Sequence, residues 1–89
     1  MTWRVRLAVL PLEGMRSPEG DTAAAALAAL GFGPPSGMTV GKLYEWTAEG
    51  DDAEVVRRQA MAMAEALLAN PVSERAEVVD VREVRGAPA

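Results

Sequence analysis

Cysteine and histidine are both absent from the 89 residues. The first absence excludes disulfide staples and thiolate metal sites, and the second removes the commonest metal ligand and the usual general base near neutral pH. Isoleucine is missing too, Lys42 is the only lysine, Asn70 the only asparagine, and the aromatic residues are Trp3, Phe32, Tyr44 and Trp46. Catalysis would have to be assembled from carboxylates, one lysine, one tyrosine and a few hydroxyls, which weighs against a self-sufficient enzyme. No apolar run approaches the ~20 residues that span a bilayer, so no membrane partner is expected. The formal net charge is −4, and the eight arginines are scattered among acids. Nucleic-acid binding needs a basic patch, and none is expected here. Seventeen alanines and eight arginines against one lysine suggest a GC-rich genome more than a function.

The length allows one domain, taken as residues 1–85, with a short C-terminal tail at 86–89. A chain of this size buries only about 60 to 65% of its unfolded surface, and small domains without staples often gain stability by oligomerising. Arg4 and Arg6 ahead of Leu7 to Leu10 look superficially like a leader, but the apolar part is too short. A cytoplasmic protein is expected. In "WRVRLAVL", Trp3, Val5, Leu7 and Val9 alternate with Arg4, Arg6 and Ala8, the period of a half-buried strand ended by Pro11. In "SPEGDTAAAALAALG", Ser17 is an N-cap, Pro18 the first helical residue and Gly31 the stop. Its stripe of Ala23, Ala26, Leu27 and Leu30 has little volume, so the helix must pack close to a sheet or a second helix.

The segment "MTVGKLYEWTAE" reads as two strands joined near Gly41-Lys42, or as one bent strand, with Gly41 at a bulge, a bend or a close backbone approach. Lys42, Tyr44 and Trp46 alternate onto one face and Leu43 onto the other. The aromatic face is expected to lie away from the helices and to need a partner chain as its cover. "GDDAEVVRRQAMAMAEALLAN" is a second helix, capped by Asp51 or Asp52, with Val56, Ala60, Met63 and Leu67 as its inner stripe, broadened by Ala64 and Leu68. In "RAEVVDVREV", Val79 and Val81 share one face and Val78 and Val84 the other. The order β-α-β-β-α-β gives an α+β, two-layer βαββαβ-like domain: an antiparallel sheet covered by two helices, extended or covered further on oligomerisation.

Several residues invite a chemical reading. Asn70 precedes Pro71, which disfavours the α region for the residue before it, so helix termination is favoured over a side-chain role. Lys42 beside Gly41 could touch a phosphate, but phosphate loops carry several glycines leading into a helix, and this one leads into a strand. "GFGPPSG" has no helix directly after it. Asp51, Asp52 and Glu54 fit a cap and dipole complement better than a magnesium site. Glu13 and Glu19 have no placement that would make them an acid–base couple. An acylphosphatase-like site would use Arg16 and Asn70, but Arg16 comes late, in a loop with a single glycine.

Pro18-Glu19-Gly20, the Leu30-Gly31-Phe32 corner, Val40-Gly41-Lys42 and Leu67-Leu68-Ala69-Asn70-Pro71-Val72, in this order and spacing over residues 3 to about 80, resemble the PurS family. Trp46 stands where a smaller apolar residue is usual, and Ser73 and Ala76 where the family is more apolar. The resemblance implies a non-catalytic subunit of phosphoribosylformylglycinamidine synthase, the glutamine- and ATP-dependent formylglycinamide ribonucleotide amidotransferase of purine synthesis. It implies a homodimer or tetramer that joins a glutaminase subunit to a large synthetase subunit and aids ammonia transfer. ATP and magnesium are expected on the large subunit, with no cofactor, metal or catalytic residue on this chain. Interface candidates are Val40, Gly41, Lys42, Leu43, Tyr44, Trp46, Asn70, Pro71 and Val72. A stand-alone ferredoxin-like module that binds a small metabolite is the alternative from a different class.

Overall fold

The computed structural model describes residues 1–85; the expected tail at 86–89 lies outside them. Strand β1 (Thr2–Pro11) leads to helix α1 (Pro18–Ala29), strand β2 (Lys42–Glu49), helix α2 (Ala53–Met63) and strand β3 (Glu74–Val84). The sheet is antiparallel in the order β2-β1-β3. The α+β class and antiparallel sheet agree with the sequence pattern. The sheet has three strands, because Met38 to Gly41 enters none and β2 starts at Lys42.

Trp3, Val5, Leu7 and Val9 line one face of β1 and form the core with Val56, Ala60 and Ala64 of α2 and its final turn. Asp52 caps α2 by accepting from the Val55 amide at 2.9 Å, one of the donors a helix start leaves unpaired. The last turn, Ala64–Leu68, is π-helical and closes with the Ala69 amide donating to the Ala64 carbonyl. Two expected core residues point elsewhere: Met63 and Leu67 are exposed, while Ala60 and Ala64 are buried. The sheet supplies the bulk in Trp3, Val5, Leu7 and Val9, so only small side chains fit between it and α2.

Strand β3 also departs from simple alternation. Val81 lies opposite Val5 and Val78 opposite Leu7, with a register shift between Arg6 and Leu7. Val78 and Val81 therefore both pack on the core, and Val79 is the extra residue of a β-bulge, exposed at the sheet edge. Val84 falls opposite Thr2.

The expectation that two helices cover the sheet is corrected to one. Helix α2 lies over β1 and β3, and α1 makes no extended contact with either sheet or α2. Ser17 and Gly20 alone are buried around α1, where its first turn meets the returning chain. The Ser17 hydroxyl accepts from the Gly20 and Val40 amides, each at 3.2 Å, and a Cβ on Gly20 would overlap the Met38 carbonyl. At the far end, the Phe32 amide donates to Leu27 O and the Gly31 amide to Ala28 O, a Schellman turn with Gly31 at φ 97°. Helix and return segment thus form one arm standing off the sheet. The radius of gyration is 16.5 Å, against about 12 Å for a compact chain of this length.

Candidate functional site

Gly41 carries the return segment into β2. A Cβ there would collide with the Val9 carbonyl and the Leu10 side chain, so of the three sequence readings the close backbone approach is the one realised. Val40, Gly41 and Lys42 border a cleft of about 240 Å³ with Val9, Pro11, Glu19 and Glu74. Lys42 makes no ion pair among the described residues, and Arg6 pairs with Glu45 at 2.7 Å on the other face of the sheet.

Glu74 links this cleft to the corner after α2. The Asn70 amide donates to Glu74 Oε1 at 2.8 Å, and Asn70 Oδ1 accepts from the Val72 amide at 3.1 Å. The Asn70 carbonyl accepts from the Ser73 and Glu74 amides, and the Leu12 amide donates to Ser73 O. Every hydrogen bond of Asn70 holds the turn, and Pro71 contributes no donor of its own. The corner leaves Pro71 exposed and Val72 80% exposed. The interface candidates at Val40 to Lys42 and at Asn70 to Val72 therefore meet at one end of the sheet, across the end of β1.

The aromatic candidates occupy a different place from the one expected. Tyr44 is paired with Leu7 and Trp46 with Val5, so both share the face that carries α2. They are only half-buried, because α2 covers β1 and β3 and leaves β2 bare. Leu43 takes the opposite face and is 56% exposed. The alternation was legible, but which face the helices take was not, since apolar residues occur on both faces of β2.

Exposed apolar residues outside the candidate set include one pair, Leu30 and Phe32, at the arm's tip and another, Met63 and Leu67, on the outer side of α2. The signal for the first pair was the absence of any charge between Thr22 and Gly41. Among the described residues Ser17 is the one buried polar side chain, and its hydroxyl is taken by the two backbone donors. Among the described residues no three Asp or Glu side chains are grouped to hold a metal ion, and no helix is long and apolar enough to cross a membrane. The arrangement presents apolar surface, a tight corner and backbone edges rather than a converging set of reactive groups.

Residues 4–82 match the family model described as PurS, phosphoribosylformylglycinamidine (FGAM) synthase. The chain is 34% identical over 67 residues to phosphoribosylformylglycinamidine synthase subunit PurS of Archaeoglobus fulgidus, covering 75% of this chain and 84% of that one. Among solved structures, Thermus thermophilus PurS superposes with a TM-score of 0.82 at 28% identity, covering 94% of this chain and 99% of that one. Methanocaldococcus jannaschii PurS, described as one of the subunits of formylglycinamide ribonucleotide amidotransferase, gives 0.79 at 26% identity, with 93% and 99% covered. With the family pattern matched along nearly its whole length and the same fold in PurS structures, the chain belongs to the PurS family of phosphoribosylformylglycinamidine synthase subunits, proteins of purine biosynthesis.

Proposed function

We propose that this chain is the assembly subunit of its synthase complex and that its surfaces, rather than side-chain chemistry, carry its function. It joins a glutaminase subunit to a large synthetase subunit in the cytoplasm and assists the passage of ammonia between them. ATP and magnesium act on the large subunit. The chain itself works as a homodimer or tetramer.

The observation that carries this reading is the bare half-face of the sheet. Tyr44 and Trp46 are left half-covered in a domain whose other helix, α1, stands clear of the sheet. Apolar surface left open in a small domain marks an interface. The exposed Val72 and Leu67 beside the Asn70-Pro71 corner add a second apolar patch, suited to a different neighbour.

Reconstitution tests the proposal. Glutamine-dependent amidation by the large and glutaminase subunits should require this chain, and ammonia-dependent amidation by the large subunit alone should proceed without it. Equal glutamine-dependent rates with and without the chain would refute it.

A further inference from the structure

From the cleft at the end of the sheet we infer a binding site for a free α-amino acid with an uncharged side chain: Glu19 and Glu74 take its ammonium group and Lys42 its carboxylate. The binding rests on the cleft itself, and its link to glutamine rests on the function proposed above. Lys42 opens β2 opposite Val9, and Glu74 opens β3 opposite Pro11, so the two flank the end of β1 on one face of the sheet. Two strand spacings, about 10 Å, separate their backbones. Glu19 reaches the same cleft from the first turn of α1. The opening of about 240 Å³ has room for a molecule of amino-acid size.

The charges decide the ligand. None of the three side chains forms an ion pair among the described residues, and Glu74 spends only Oε1, on the Asn70 amide. A simple anion would meet two carboxylates and a simple cation would meet the Lys42 ammonium, each like-charge contact opposing binding. A small molecule that carries both charges answers all three side chains. With two carboxylates against one ammonium, a second acid on the ligand is repelled, so L-glutamine is accepted and L-glutamate is not. Pro11 and Val40 give the ligand's aliphatic stem an apolar wall. The walls are fixed by the backbone: the Ser17 hydroxyl ties the first turn of α1 to Val40, and Gly41 lies against Val9 beside Lys42. In the complex proposed above, such a site reads the amide donor against its product. Glu74 carries the signal, since its Oε1 holds the corner at Asn70.

The test is a titration of the isotope-labelled full chain with L-glutamine, followed by amide chemical shifts. Shifts at Val40 to Lys42 and at Glu74 should saturate at about millimolar ligand, the strength expected of a few solvent-exposed charged contacts. N-acetyl-L-glutamine lacks the ammonium charge, and the α-amide of L-glutamine lacks the carboxylate. Each should bind about tenfold more weakly or not at all, as should L-glutamate. Lys42→Met and Glu19→Gln should weaken L-glutamine binding by a similar factor. Glu74→Gln keeps an acceptor for the Asn70 amide and removes the charge, so it should lose binding with the corner intact. Bound L-glutamine should slow exchange of the Asn70 amide.

Absence of shifts in the cleft up to tens of millimolar L-glutamine overturns the site. Equal binding of the N-acetyl form overturns the role of the two carboxylates, and an unaffected Lys42→Met variant overturns that of the ammonium. Equal binding of L-glutamate overturns the selectivity. Reconstitution separates the site from the assembly role. A chain required for glutamine-dependent amidation whose cleft binds nothing loses only this inference, whereas a dispensable chain that binds L-glutamine keeps the site and loses the proposed function.

Discussion

At the scale of single residues, the corner at Asn70 is the clearest case of sequence and structure agreeing. Pro71 ends the helical run, and the Asn70 side chain accepts the Val72 amide that the turn would otherwise leave unpaired. Asn70→Ala should lower stability by about 1 kcal/mol, the usual loss for such a cap. A urea titration checks this, with glutamine-dependent turnover per assembled complex expected to stay near the parent value. A large drop in turnover without loss of stability would assign the side chain a chemical role after all. Gly41 makes a sharper claim. Its Cβ position is filled by the Val9 carbonyl, so Gly41→Ala should cost about 1–3 kcal/mol through forced backbone shifts. Amide exchange should rise first at the Val9–Lys42 end of the β1–β2 pair. Neither the collision nor the shared donors on Ser17 can be read from spacing, since both depend on segments far apart in the chain.

Among the elements, β1 was fully legible because its alternation is strict and its neighbours only reinforce it. Strand β3 was not. Adjacent valines at 78 and 79 fit either parity, and only the pairing with Arg6 and Leu7 shows that Val79 is the inserted residue. Helix α2 was legible in extent but not fully in rotation, because its stripe was drawn wide enough to take in Met63 and Leu67 beside Val56, Ala60 and Ala64. The structure keeps the two alanines inward and turns Met63 and Leu67 out. Leu67→Ala should accordingly change stability by less than about 0.5 kcal/mol, as exposed substitutions do. Ala64→Leu should destabilise by about 1–3 kcal/mol through overpacking against the sheet. Thermal melts of the two variants check this, and a large loss for Leu67→Ala would return Leu67 to the inner stripe. Helix α1 shows a further limit. Its ends were marked by Ser17, Pro18 and Gly31, but a helix of alanine and leucine does not say whether its cover belongs to its own chain. Gly20→Ala tests its root: propensity favours alanine by about 1 kcal/mol, yet the Met38 carbonyl occupies the space, so the variant should melt lower than the parent.

For the whole molecule, the dominant fact is its extension, 48 × 30 × 18 Å, in a chain with few fully buried side chains. The isolated fold is marginal, and association should supply part of its stability. Its melting midpoint should then rise with protein concentration, as mass action demands for a folded state stabilised by its partner. Scanning calorimetry over a roughly hundredfold concentration range checks this. A midpoint independent of concentration would place all the stability within one chain. The bulge at Val79 has a consequence of a different kind. A three-stranded sheet has two free edges, and if both were straight, copies could add side by side without limit. The inserted residue interrupts the ladder of β3 and adds local twist, which makes that edge a poor template for a further strand. Growth through that edge is discouraged, and a soluble particle of fixed size is favoured over a fibre.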